Sequence, residues 1–140
     1  MPKKPKISRS VAAKKKLKDH LKTHIGKSKN SSYYFTPTEA VAWYWWRVIN
    51  KAAFKNKLPY PSAIIVRKLR GAWGLCLGKS RENNFVITIS SEITNRKLFI
   101  ATVAHEMVHQ WQWYDRGVLD HASRFREWNE YFKRNFGIVL

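Results

Sequence analysis

The sequence predicts an α+β domain in which three helices pack on a small, antiparallel-rich sheet, preceded by a basic N-terminal tail. The chain has 140 residues and is 44% hydrophobic, which suits one domain with a modest core. Apolar residues recur at helical spacing in three segments, and three short β-branched runs separate the first segment from the second. The N-terminal fifth of the chain has a different, strongly basic composition.

The predicted tail, residues 1–32, is basic and largely flexible. Residues 1–29 carry eleven Lys/Arg and one acid, a net charge of +10 out of +18 for the whole chain. Two prolines in the first ten residues predict disorder, whereas residues 11–25 favour a basic helix. So large a positive charge predicts a polyanionic partner, and we expect DNA. The predicted nucleic-acid contacts are Lys3, Lys4, Lys6, Arg9, Lys14, Lys15, Lys16 and Lys18.

The predicted domain covers residues 33–140. Thr36 as N-cap, Pro37 and Glu39 are start signals for a first helix, which the LPYP run ends near residue 56. The runs SAIIVRKLR, AWGLCLG and NFVITIS then predict three strands, whose short connections favour an antiparallel meander. Two more helices are predicted at about residues 95–114 and 122–135.

The single cysteine, Cys76, excludes an intrachain disulfide and a cysteine-based zinc ribbon. No apolar run approaches the ~18 residues of a membrane span, and the basic N-terminus lacks the apolar core of an export signal. These features predict an intracellular protein without a membrane partner. They leave the oligomeric state open.

The stretch TVAHEMVHQWQWYD, residues 102–115, contains an HExxH motif. At about 100° per helical residue, His109 lies roughly 40° and Glu106 roughly 100° from His105. In that shared sector two imidazoles can bind one metal ion, and the carboxylate can reach a water on the ion. Core packing does not explain these histidines, because the opposite sector is the apolar one and contains Ile100, Val103, Ala104, Met107, Trp111 and Tyr114.

A catalytic zinc ion usually has three protein ligands and one open position. The downstream candidates for the third ligand are Asp115, Asp120 and His121. We prefer His121, because it opens the third helix after a loop long enough to reverse the chain. The sequence therefore predicts a Zn²⁺-dependent endopeptidase with a protein substrate, in which Glu106 activates a zinc-bound water.

Two other functions fit the same residues. A non-catalytic, basic nucleic-acid-binding protein would have a structural zinc site closed by a fourth protein ligand. The other alternative is a zinc hydrolase acting on a different bond. Glu106 favours the peptidase, because a structural site needs no base. Trp113, in the metal-side sector, and Trp73, in the AWG segment, are candidate substrate-cleft residues, with loop packing as the alternative.

The motifs together resemble the SprT-like metalloprotease domain of the Spartan proteases. The resemblance covers about residues 36–136 and rests on HEMVHQW, on HASRFREW and on the AWG and VITIS segments. Other matching residues are Asn50, Phe54, Leu58 and Pro59. The resemblance implies cleavage of proteins bound or crosslinked to DNA. Larger relatives have DNA-binding modules downstream, and our hypothesis is that the basic N-terminal tail replaces them in this chain. It also implies a compact zincin-like fold with Glu106 as base and zinc held by His105, His109 and His121.

Overall fold

The computed structural model describes residues 15–23, 35–79 and 84–140. Within these residues the chain forms four helices and three strands, which confirms the α+β class. None of the described helices has both the length and the hydropathy needed to cross a membrane. The elements in chain order are α1 (15–23), α2 (Glu39–Ala53), β1 (Ala63–Arg67), β2 (Gly74–Lys79), β3 (Asn84–Ser90), α3 (Arg96–Arg116) and α4 (Ser123–Phe136).

The predicted antiparallel meander is wrong, because the sheet is mixed. Its strand order is β1-β3-β2, with β3 parallel to β1 and antiparallel to β2. Five of the seven residues of β3 are buried. They include the adjacent Ile87 and Thr88, whose side chains lie on opposite faces of the sheet, so β3 suits a central position that is buried on both faces. β2 is an edge strand of the described sheet, and its Leu75 and Leu77 are exposed.

Helix α2 is shorter than predicted at both ends. Thr38, rather than Thr36, is the N-cap, since the Thr38 hydroxyl accepts a hydrogen bond from the backbone N–H of Val41 at 3.2 Å. The helix ends at Ala53 because Lys55 and Asn56 have φ values of 55° and 59°, which turn the chain before the prolines.

Helix α1 packs on the domain although it lies in the predicted tail. Leu21 is fully buried in the same hydrophobic core as α2 and α4. Lys18 Nζ donates to Asn135 Oδ1 of α4 at 3.0 Å, and the His20 ring stacks on Trp45 of α2. This part of the predicted tail is therefore a packed element, while the boundary at residues 32 and 33 stays a prediction.

We expect Leu21→Ala to lower the free energy of unfolding by about 2–5 kcal/mol, because a buried leucine leaves a cavity when it is truncated. Denaturant unfolding of the full chain measures this loss. Lys22→Ala is the control, since the neighbouring lysine is exposed on the same helix. Equal unfolding midpoints for the leucine variant and wild type would show that α1 contributes nothing to the fold.

Candidate metal centre

Helix α3 presents His105 and His109 on one face, one turn apart. Side chains four residues apart on a helix lie one above the other. Their Nε2 atoms are 3.2 Å apart, so the two rings point toward a common location. The arrangement is the one that the HExxH spacing predicts.

His121 reaches the same location from the loop after α3. The helix ends at Gly117, whose φ of 70° lies in the left-handed region that favours glycine. The chain turns back there, and His121 Nε2 lies 3.2 Å from His109 Nε2 and 3.1 Å from His105 Nε2. The three ring nitrogens therefore form a nearly equilateral triangle.

The two carboxylates considered as alternatives to His121 have other partners. Asp115 forms an ion pair with Arg124. Asp120 Oδ1 accepts hydrogen bonds from the backbone N–H of Ala122 at 3.1 Å and from the side-chain amide of Gln112 at 3.3 Å. Among the described residues, the histidines alone make up the group that could hold a metal ion.

Gln112 is buried and ties α3 to the loop that carries the third histidine. Its Oε1 accepts the backbone N–H of Asp120 at 3.3 Å, and its Nε2 donates to the Asp120 carbonyl at 3.1 Å. His109 Nδ1 lies 2.8 Å from the same Oε1 and must donate to it. The lone pair of His109 is therefore on Nε2, the atom that faces the other two histidines.

Phe125, in the first turn of α4, packs against all three rings. Its centroid lies 4.8 Å from that of His105, 5.1 Å from that of His109 and 4.7 Å from that of His121. This buried aromatic ring restricts the imidazoles to one arrangement, as a hydrophobic shell around a metal site does.

The surroundings of His105 and His109 favour the neutral form of these two rings. Burial, and then the proximity of His109 and His121, lowers the pKa of His105 to about 4. Burial also lowers the pKa of His109. Since neutral imidazole is the form that binds metals, these two shifts favour metal binding by His105 and His109 at neutral pH.

The three nitrogens fit a single metal ion. A four-coordinate ion with bonds of about 2.0–2.1 Å places its ligand nitrogens ~3.3 Å apart, close to the separations of 3.1–3.2 Å found here. Imidazole nitrogen suits borderline ions such as zinc. Three protein ligands would leave one position for a water or a substrate, which is the pattern of a catalytic site.

Glu106 lies beside this group and is only 4% exposed. Burial raises the pKa of its carboxyl group to about 7, while a hydrogen bond from the thiol of Cys76 opposes that rise. Burial and the neighbouring carboxylate raise the pKa of Cys76, so the thiol stays protonated and donates. A buried carboxylate of this kind is a stronger base than an exposed one.

Strand β2 approaches α3 closely because two of its residues, Gly74 and Gly78, have no side chain. A Cβ atom at Gly74 would lie 2.7 Å from Glu106 Oε1 and 2.8 Å from Thr102 Cγ2. A Cβ atom at Gly78 would lie 2.5–2.9 Å from the indole of Trp113. Glycine therefore gives the Glu106 carboxylate its space against the strand.

We expect Gly74→Ala to lower turnover by about 10²-fold with bound zinc unchanged, because the new methyl group displaces the Glu106 carboxylate. Steady-state cleavage and metal content, measured on the same samples, test this. Leu75→Ala is the matched control on the same strand, since that side chain is exposed on the other face. Undiminished turnover in the glycine variant would show that the strand does not position the base.

The two candidate cleft tryptophans have different surroundings. Trp73 is 50% exposed and lines a cavity of about 270 Å³ together with His105 and Glu106. Trp113 packs over Gly78 and is not among the residues that line this cavity.

The predicted nucleic-acid contacts are only partly described. Lys15 and Lys16 are exposed on α1, whereas Lys18 bonds to Asn135. The remaining predicted contacts lie outside the described residues, and they are Lys3, Lys4, Lys6, Arg9 and Lys14.

Four residues of the site were not predicted from the sequence, and these are Gln112, Phe125, Gly74 and Cys76. A glycine inside a strand pattern signals a close backbone approach. Gln112 follows His109 by three residues and so shares its helix face. The sequence carries no signal that the lone cysteine faces Glu106.

Comparison with known proteins agrees with this geometry. A search of curated proteins finds no match to the chain. The sequence model of the SprT-like family matches residues 44–138, more than half of the chain, and the match includes α3 and all three histidines. The chain therefore belongs to the SprT-like family, whose domains are metal-dependent and metalloprotease-like.

Proposed function

We propose that this protein is a zinc-dependent endopeptidase that cleaves proteins on or near DNA. The observation that carries the proposal is the triangle of histidine nitrogens with the buried carboxyl group of Glu106 beside it. His105, His109 and His121 would hold the ion, which would supply a Lewis acid to polarise water and the substrate carbonyl. Membership of the SprT-like family supports the metallopeptidase class.

Glu106 is the catalytic base in this proposal. Its carboxylate accepts a proton from the attacking water while the water oxygen bonds to the peptide carbonyl carbon. The same carboxyl group then gives the proton to the leaving nitrogen as the peptide bond breaks. The thiol of Cys76 donates to the carboxylate and Gly74 leaves room for it, which fixes its position and reduces the entropy lost on reaching the transition state.

The ligand set argues against a purely structural zinc site. Such a site is normally closed by four protein ligands. Asp115 and Asp120, the nearest carboxylates downstream, are engaged with Arg124 and with Gln112 instead. A buried carboxyl group next to three histidines, with no fourth protein ligand in the described part of the chain, fits catalysis better than it fits stabilisation of the fold.

The edge strand supports a polypeptide substrate. In the sheet that the described residues form, β2 pairs with β3 on one side only, so its other edge offers backbone groups to an extended chain. Gly74 and Cys76 of this strand lie against Glu106. A substrate that adds to this edge is therefore held next to the proposed base.

Nucleic acid is the proposed second partner, inside the cell. The net charge of +18 favours a polyanion, and Lys15, Lys16 and Lys22 are exposed on the packed helix α1. Because α1 is fixed to the domain, DNA bound there would lie at a set position relative to the metal centre. This would concentrate the peptidase on proteins attached to the same DNA.

The function is tested by cleavage of a basic DNA-binding protein by the zinc-loaded full chain, with and without single- and double-stranded DNA. We expect cleavage that chelation abolishes, that added zinc restores and that DNA accelerates. One bound zinc with tight DNA binding and no cleavage would favour the non-catalytic nucleic-acid-binding protein.

The nucleic-acid surface is tested by replacing Lys15, Lys16 and Lys22 together with glutamine. Plots of the logarithm of the DNA association constant against the logarithm of the salt concentration have a negative slope. Losing three phosphate contacts should make that slope shallower by about 2–3. The matched control replaces three exposed lysines in and after the end of α2, and these are Lys51, Lys55 and Lys57. Equal salt slopes for the two triple variants would reject α1 as the DNA-binding surface.

A further inference from the structure

A cavity of about 270 Å³ opens beside His105 and Glu106, and most of its remaining wall is apolar. On α3 the wall is formed by Leu98 and Ala101, the latter one turn before His105. The cavity therefore lies on the N-terminal side of the metal centre, next to the carboxyl group that we propose as base.

The opposite wall is supplied by the residues that follow α4. Gly137, with a φ of 68°, ends that helix and turns the chain back. Ile138 then enters the core, and the backbone N–H of Leu140 donates to Asn129 Oδ1 at 3.0 Å. Val139 and Leu140 are thereby held against the cavity as part of its lining.

The apolar lining continues away from the metal centre. A second cavity of about 280 Å³ shares Leu98, Ala101 and Val139 with the first. Together the two form a groove whose metal-side end is polar and whose far end is mainly aliphatic. Within the first cavity an acidic side chain would lose its hydration and meet the carboxyl group of Glu106, whereas Asn95 and Lys97 line only the far end.

We propose that the cavity beside His105 and Glu106 is a specificity pocket, which receives an apolar side chain from a residue flanking the scissile bond. This inference rests on the proposed peptidase function. A peptide whose carbonyl is placed next to Glu106 has the neighbouring side chain within reach of Leu98, Ala101 and Val139. Aliphatic and aromatic side chains fill the space, whereas glycine leaves it empty.

The test is digestion of a peptide library by the zinc-loaded full chain, with the products sequenced by mass spectrometry. At one flanking position we expect leucine, methionine or phenylalanine to be preferred over glycine or aspartate by about 10–100-fold. The variant Ala101→Phe fills the pocket from α3 and should reduce that preference at least 10-fold. Val139→Phe fills the pocket from the opposite wall. Val139 follows α4 and lies outside the described helices and strands.

The matched control is Val118→Phe, because Val118 is 57% exposed and Val139 is 56% exposed. The control should keep the wild-type preference. Cleavage by wild type without an apolar preference, or an unchanged preference in both pocket variants, would overturn the pocket while leaving the peptidase function intact. A complete absence of cleavage would instead reject the peptidase function itself, and the pocket with it.

Discussion

Glu106→Gln is expected to lower turnover by about 10²–10⁴-fold while one zinc ion stays bound per chain. The amide has the shape of the carboxylate but cannot accept the proton of the attacking water. Since Glu106 is beside the histidine group and is not one of its members, the metal site should be preserved. Cleavage rate and metal content, measured on the same preparation, give both quantities.

Glu130→Gln is the matched control for this variant. It makes the same change of charge at an exposed position on α4 and should cleave at the wild-type rate. Wild-type turnover by zinc-loaded Glu106→Gln would remove Glu106 from the mechanism and would require a different residue as the base.

His109→Ala is expected to abolish both zinc binding and cleavage. His109 is the most buried of the three proposed ligands, and its Nε2 lies 3.2 Å from the Nε2 atoms of the other two. Two histidines remain, which is one ligand fewer than a catalytic zinc site normally has. Metal content should fall from one zinc per chain to none, and added zinc should no longer raise the unfolding temperature.

His20→Ala is the control, since this histidine belongs to α1 and contacts Tyr44 and Trp45 rather than the metal centre. Its unfolding temperature should still rise with added zinc. Stoichiometric zinc in His109→Ala, or a loss of zinc in His20→Ala, would place the metal elsewhere in the chain.

The features that could be predicted from the sequence are those with a local cause. His105 and His109 share a face because helical spacing alone puts them there. Gly117 and Gly137 mark the ends of α3 and α4 through their left-handed backbone. Even the placement of His121 follows from the length of one loop.

The features that escaped prediction depend on distant parts of the chain. β3 lies in the middle of the sheet, where residues on both of its faces are buried. The short connections between the strands do not indicate which strand takes the central position. α1 did leave a local trace: Leu17 and Leu21 are four residues apart in an otherwise charged segment, which indicates a face that packs. The lysines around the two leucines instead favoured the interpretation of this segment as a basic tail.

The burial of Leu21 couples the proposed nucleic-acid surface to folding. A polyanion that binds the α1 lysines only when the helix is packed on the domain must stabilise the domain, by an amount set by its concentration relative to its dissociation constant. By the same thermodynamic cycle, a substitution in the core beneath α1 weakens binding of that polyanion without touching a lysine. Removing residues 1–29 would combine these two effects, because the deletion takes away both the charge and a buried leucine of the core.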